Sequence, residues 1–164
     1  MGPSRDRPAP PLYTSEQRQR RDASRWTLVQ GVLAPLQFLV FLASLGLVLR
    51  TLSTGEGAVL ANASIVAKTA LLYAIMVTGS IWEKAVFGRY LFAPAFYWED
   101  MVSMLVLALH TAYLAALVSG ALDTTGLLLL ALTAYAAYAV NAGQFLLKLR
   151  AARIEAPMLA EGAR

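Results

Sequence analysis

Three stretches of the chain, Trp26–Leu49, Met101–Leu122 and Thr124–Leu147, contain no Asp, Glu, Lys or Arg, and a fourth, Gly57–Trp82, is interrupted only by Lys68. Each reaches the ~20 predominantly apolar residues that an α-helix needs to cross the hydrocarbon layer. The pattern predicts membrane helices over about Trp26 to Leu52, Ala61 to Lys84, Glu99 to Ser119 and Gly126 to Leu149. Pro35 falls inside the first and is expected to bend it. The connections are short, so consecutive helices should run antiparallel. The expected fold class is an all-α integral membrane protein, with four transmembrane helices in an antiparallel bundle and no length left for a separate soluble domain.

Composition agrees. Of 164 residues, 58% are apolar and only 15% charged, against about a quarter charged in soluble domains. Soluble catalytic folds are thereby excluded. The absence of cysteine removes disulfides, thiolate metal sites and a Cys nucleophile. The net charge of +4 does not point to nucleic acid, because six of the 14 basic residues precede Trp26 and four follow Leu147. In a membrane protein this is an orientation signal. It places both termini and the connection Ala85–Trp98, which holds Arg89, in the cytoplasm, and the other two connections on the opposite side.

Three regions follow. Residues 1–25 form a basic segment with Pro3, Pro8, Pro10 and Pro11, expected to be mobile except for a short interfacial helix at its end. Residues 26–149 form the membrane domain, and residues 150–164 a short cytoplasmic tail. A cleavable signal does not fit, because the apolar run from Trp26 is too long and no small-residue cleavage site follows. Arg20 and Arg21 lack the apolar residues that follow a twin-arginine export signal.

Polar groups are costly in hydrocarbon, so those inside the helices are the first place to look for function. Gln30 and Gln37, seven apart, suit interhelical hydrogen bonding. Lys68 is read as snorkelling to the near interface. Tyr135, Tyr138, Asn141, Gln144 and Lys148 recur at spacings of three and four, along one stripe of the last helix. That stripe is either a polar packing seam or a wall facing a substrate. Trp82, Glu83 and Lys84 end one helix while Trp98, Glu99 and Asp100 begin the next. Acids at a helix start complement its dipole, so these carboxylates read equally as caps or as catalysts.

His110, the sole histidine, follows Glu99 by eleven residues. On a helix that returns it to within about 20° of the same face, about 16 Å deeper, with Ser103 on the same stripe. Its plainer role is a hydrogen bond to a neighbouring helix; its functional one is to ligate a metal, such as a pigment magnesium. One His and no Cys leave too few ligands for a metal held by the protein alone, and the paired Glu-x-x-His motifs of a di-iron site are missing.

The residues themselves resemble a known family. DASRWTLVQGVLAPLQFLVF, Asp22–Phe41, and VTGSIWEKAVFGRYLFAPAFYWEDMVSMLVLALHTAYL, Val77–Leu114, are similar to the 3-vinyl (2-vinyl) bacteriochlorophyllide or chlorophyllide hydratases of photosynthetic bacteria. NAGQFLLKLRAAR, Asn141–Arg153, fits as well, so the likeness covers roughly residues 12 to 153. The long second stretch is specific, since generic membrane helices do not share a W-E-K helix end and a W-E-D helix start. The resemblance implies addition of water to the 3-vinyl group of chlorophyllide a or 3-vinyl bacteriochlorophyllide, giving a 1-hydroxyethyl group, in bacteriochlorophyll synthesis. It further implies a bacterial inner or intracytoplasmic membrane, lipid around the helices, and contact with other pigment-biosynthesis enzymes.

Hydration needs a proton for the terminal vinyl carbon and a hydroxide equivalent for the carbon on the ring. The macrocycle delocalises the intermediate cation, so no cofactor is expected, the magnesium belonging to the chlorin. General acid–base help is worth about 10² to 10⁴ in rate, and Glu83, Glu99 and Asp100 are the acids at hand. His110, Ser103, Tyr138, Asn141 and Gln144 are the expected substrate-binding residues, with His110 as a ligand of the substrate magnesium. The competing functions are a chlorin carrier or assembly factor that uses the same pocket without chemistry, and, more remotely, a small transporter subunit. For topology, reporters fused after Arg50 and after Asp123 should both read as non-cytoplasmic, and a cytoplasmic reading at either site would overturn the helix count or the orientation.

Overall fold

The computed structural model describes residues 11–161, with side chains described over 11–154. Five helices follow in order: α1 Ser15–Ala23, α2 Arg25–Thr54, α3 Ala58–Phe87, α4 Tyr97–Ser119 and α5 Thr124–Glu161. No strand occurs among the described residues. The four long helices are each apolar enough to cross a membrane. The all-α bundle and its four spans are therefore as the charge-free windows require.

Local sequence sets the helix ends. Thr14 and Gln17 form a capping box at α1: the Gln17 N–H donates to Thr14 Oγ1 at 3.2 Å and the Thr14 N–H to Gln17 Oε1 at 2.9 Å. Ser24 ends α1 and caps α2. The α2–α3 turn carries Gly55 and Gly57 at φ 76° and 86°, where any side chain would be strained. α2 runs through Pro35 as one helix. α5 continues beyond the expected end at Leu149, because residues 150–156 include good helix formers and no glycine. Most of the expected short tail is thus helix. Residues 1–10, the bulk of the expected mobile segment, lie outside the described residues.

Partner order shows an antiparallel arrangement. From α2 to α3 the hydrogen-bonded pairs are Thr27–Trp82, Gln30–Thr78 and Ser44–Ser64, rising on one helix as they fall on the other. α2 packs along α3 and α4 along α5; α3 also meets α4 and α2 meets α5, closing an up-down-up-down ring. Phe41, Val48, Ile65, Leu72, Val106, Tyr113, Leu128 and Tyr135 form its core. Only 22–39% of each span's most apolar window is buried, so most leucine and valine surface points outward, as a bilayer requires.

The end bearing α1 is closed by aromatics. Tyr13 stacks on Phe87 at 5.8 Å between ring centroids, and Phe96 meets Phe87, Trp82 and Phe145. The Arg21 guanidinium lies over the Tyr13 ring at 4.9 Å. Burial raises the Tyr13 pKa against the pull of Arg21, so this packing does not titrate near neutrality. Tyr13→Ala should therefore cost about 3 kcal/mol, read as denaturant unfolding in micelles. An unchanged midpoint would show that α1 rests on the bundle without supporting it.

Candidate active site

α3 stops where Gly88 takes φ 83°, and the chain returns to α4 through a loop that two acids hold. The Phe92 N–H donates to Asp100 Oδ2 at 2.7 Å, and the Ala93 N–H donates to Glu83 Oε2 at 3.2 Å. Phe92 itself sits at φ 58°, a conformation rare for a bulky residue. The two carboxyls are both buried and lie beside one another at this loop. Helix end, loop and helix start thus build a buried acid pair.

Glu99 turns away from that pair. It starts α4 one residue earlier, about 100° round the helix, and its Oε2 meets Lys148 Nζ of α5 at 2.6 Å. Lys148 also donates to the Ala95 carbonyl and lies over the Phe96 ring. The Glu99 carbonyl accepts from Ser103 Oγ at 2.8 Å and from Asn141 Nδ2 at 2.9 Å. Beside it opens a groove of about 430 Å³ lined by Leu12, Glu99, Gln144, Leu147, Lys148 and two alanines of α5. Gln144 Oε1 is buried there without a partner. The three acids gather at one end of the bundle, as a pair and a neighbour rather than at one point.

The remaining expected residues divide by depth. Ser103, Asn141, Gln144 and Lys148 belong to the acid end. His110 and Tyr138 lie deeper, around Lys68. His110 Nδ1 is 2.8 Å from the Val106 carbonyl and Nε2 is 3.1 Å from Lys68 Nζ. A carbonyl only accepts, so Nδ1 carries the proton, Nε2 offers the lone pair and the lysine donates. Both ring nitrogens are engaged by protein. To serve as a magnesium ligand, His110 would first have to release Lys68.

Lys68 is the residue whose reading the structure reverses. Far from snorkelling, it is 0% exposed. It stands ten residues inside α3, about 15 Å from that helix end, farther than a lysine side chain reaches. It also falls on the stripe Ala61, Ile65, Thr69, Leu72 that faces the core; this periodicity was the available signal. The expected interhelical role of the glutamines holds for Gln30, which donates to Thr78 at 2.7 Å. Gln37 Oε1 is buried without a partner. The network Ser64–Ser44–Tyr135 and the pair Asn62–Tyr113 were not legible, because their members share no helix.

Four spanning helices around a buried acid pair, an ion-paired carboxylate and a polar core define a multi-pass membrane protein with these acids gathered at one end. Residues 13–151 match the family described as 2-vinyl bacteriochlorophyllide hydratase (BCHF), and the chain belongs to that family. A protein of Cereibacter sphaeroides named 2-vinyl bacteriochlorophyllide hydratase is 68% identical over 145 residues, 88% of this chain and 89% of its own length. One of the same name from Rhodobacter capsulatus is 64% identical over 145 residues, 88% of this chain and 84% of its own. No solved structure matches.

The Glu99–Lys148 bond should be measurable as a coupling. Lys148→Met leaves a buried carboxylate unpaired and should lower stability by about 1.5–3 kcal/mol. Adding Glu99→Gln should restore much of that loss. Additive effects in this double-mutant cycle would mean that the two groups do not interact.

Proposed function

We propose that this chain hydrates the vinyl group of a magnesium chlorin, the 2-vinyl bacteriochlorophyllide named for its relatives, in the membrane of a photosynthetic bacterium. The observation that carries the reading is the buried Glu83–Asp100 pair, fixed by two loop amides at the mouth of an apolar bundle beside the carboxylate of Glu99. The pair gives its proton to the terminal vinyl carbon, and the cation spreads over the macrocycle. Glu99, kept in place by Lys148, orients a water and takes its proton as the oxygen bonds to the carbon next to the ring. Passing that proton back to the pair restores the starting state. Water is the only co-substrate, and no nucleotide, metal or redox cofactor of the protein's own is required.

The groove between α5 and Leu12 admits the pigment edge, and Ser103, Asn141 and Gln144 line or brace its wall. The basic residues outside the spans support a cytoplasmic side for both termini and the α3–α4 loop, and on that orientation the pigment enters from the inner leaflet. Lipid surrounds the outward leucines.

The decisive assay is conversion of vinyl pigment by purified protein in buffer without nucleotide. Glu83→Gln, Asp100→Asn and Glu99→Gln should each lower turnover by about 10² to 10⁴ while pigment binding, read by absorbance, persists. Near-normal hydration by all three variants would sink the acid–base assignment. Pigment binding by the unmodified protein with no conversion would instead favour a carrier.

A further inference from the structure

We propose that Lys68 recognises the substrate's free carboxylate, holding the chlorin across the α3–α4 seam with its vinyl group toward the Glu83–Asp100 pair. The proposal rests on the hydratase reading and adds the site at which the pigment's acidic side chain is bound.

The first ground is charge. Among the described residues no carboxylate pairs with Lys68, the ion pairs being Arg20–Glu16, Arg21–Asp22 and Lys148–Glu99. Its one polar partner is the lone pair of His110 Nε2. Otherwise Nζ faces rings: Tyr138 at 4.0 Å, Tyr135 at 5.1 Å and Phe41 at 5.9 Å. An ammonium in hydrocarbon without an anion is costly, and an apolar side chain of similar volume would avoid that cost. The fold alone thus gives no reason for an amine at this position, whereas an anionic ligand, which would hold its charged form, does. Gln37, one helical turn before Phe41, is 2% exposed and leaves its Oε1 without a donor, a second unfilled polar position near this layer.

The second ground is the seam. α3 and α4 approach closely at few points and are joined by long polar side chains: Asn62–Tyr113 at 2.7 Å, Lys68–His110 at 3.1 Å, Tyr73–Thr111 at 2.8 Å, and Glu83 with Asp100. A flat molecule entering here exchanges side-chain bridges for its own polar groups without tearing apart a close-packed apolar face. Lys68 is fully enclosed, so the carboxylate reaches it as the two hairpins part. The ten residues from Asp100 to His110, the partner of Lys68, span about 15 Å along α4, and the fifteen from Lys68 to Glu83 about 22 Å along α3, room for a substituted tetrapyrrole with its side chains between the two centres. An -ide chlorin carries a free propionate well removed from its vinyl group, and this spacing separates the reacting end from the anchoring end.

The test uses the full chain in detergent micelles and two probes, the vinyl chlorin as free acid and as its neutral methyl ester, titrated by pigment absorbance. The unmodified protein should prefer the acid by about ten- to a hundredfold. Lys68→Met should abolish that preference by weakening the acid alone, raising KM for the acid more than it changes kcat, and Lys68→Arg should restore part of it. Equal binding of acid and ester by the unmodified protein, which needs no variant to fold, would overturn the proposal. So would a Lys68→Met protein that retains the preference. A preference for the acid with no hydration of either probe would overturn the hydratase reading and leave Lys68 as an anion site.

Discussion

Hydrocarbon offers no hydrogen bonds, so polar side chains inside the bundle gain by finding partners there, many of them on another helix, and those cross-helix pairs organise the structure as much as apolar contact does. Lipid tails are as apolar as leucine, which leaves the outward residues nothing to gain by turning inward. What brings α3 to α4 is a ladder of side-chain pairs running from Asn62–Tyr113 through Lys68–His110 to Glu83–Asp100. The other interfaces combine closer packing with bonds such as Gln30–Thr78 and Ser103–Asn141. The polar residues are therefore both the adhesive and the chemistry.

Stability and function overlap most at the acid end. Glu83 and Asp100 hold the backbone of the α3–α4 loop and are the acids to which proton donation is assigned in the proposed reaction. Glu99 anchors α4 to α5 through Lys148, and its carbonyl is braced by Ser103 and Asn141. The cap and catalyst readings of these carboxylates are compatible for that reason: an acid fixed by two backbone amides or one ammonium is already oriented, so no reorganisation is required when charge develops. Tyr13, Trp82, Phe87 and Phe96 pack together as an aromatic closure over this end.

The core around Lys68 follows different rules. It holds one lysine amine, three ring faces, a histidine of defined tautomer and a hydroxyl chain from Tyr135 to Ser64. Its depth relates it to the acid end: the bundle has two polar centres, and the proposed substrate orientation assigns one to each end of a planar molecule.

The charge-free windows determined by themselves that this chain is four membrane helices, because the cost of burying charge in a bilayer is local and each window can be judged alone. The acids flanking the α3–α4 loop, and the resemblance carried by Val77–Leu114, were likewise legible along the chain. Pairing was not. Helical spacing placed Glu99 and His110 on one stripe, while Lys68 was expected at the interface although its register with Ala61, Ile65 and Leu72 put it on the core-facing side. Only the packing of α3 against α4 and α5 decided that Lys68 binds His110 within a ring of aromatics, that Lys148 takes Glu99, and that Asp100 turns to Glu83 while its neighbour turns away. A stripe specifies direction within one helix. Which groups meet depends on the axial offset and rotation between helices, and those are set by the whole set of polar pairs satisfied together.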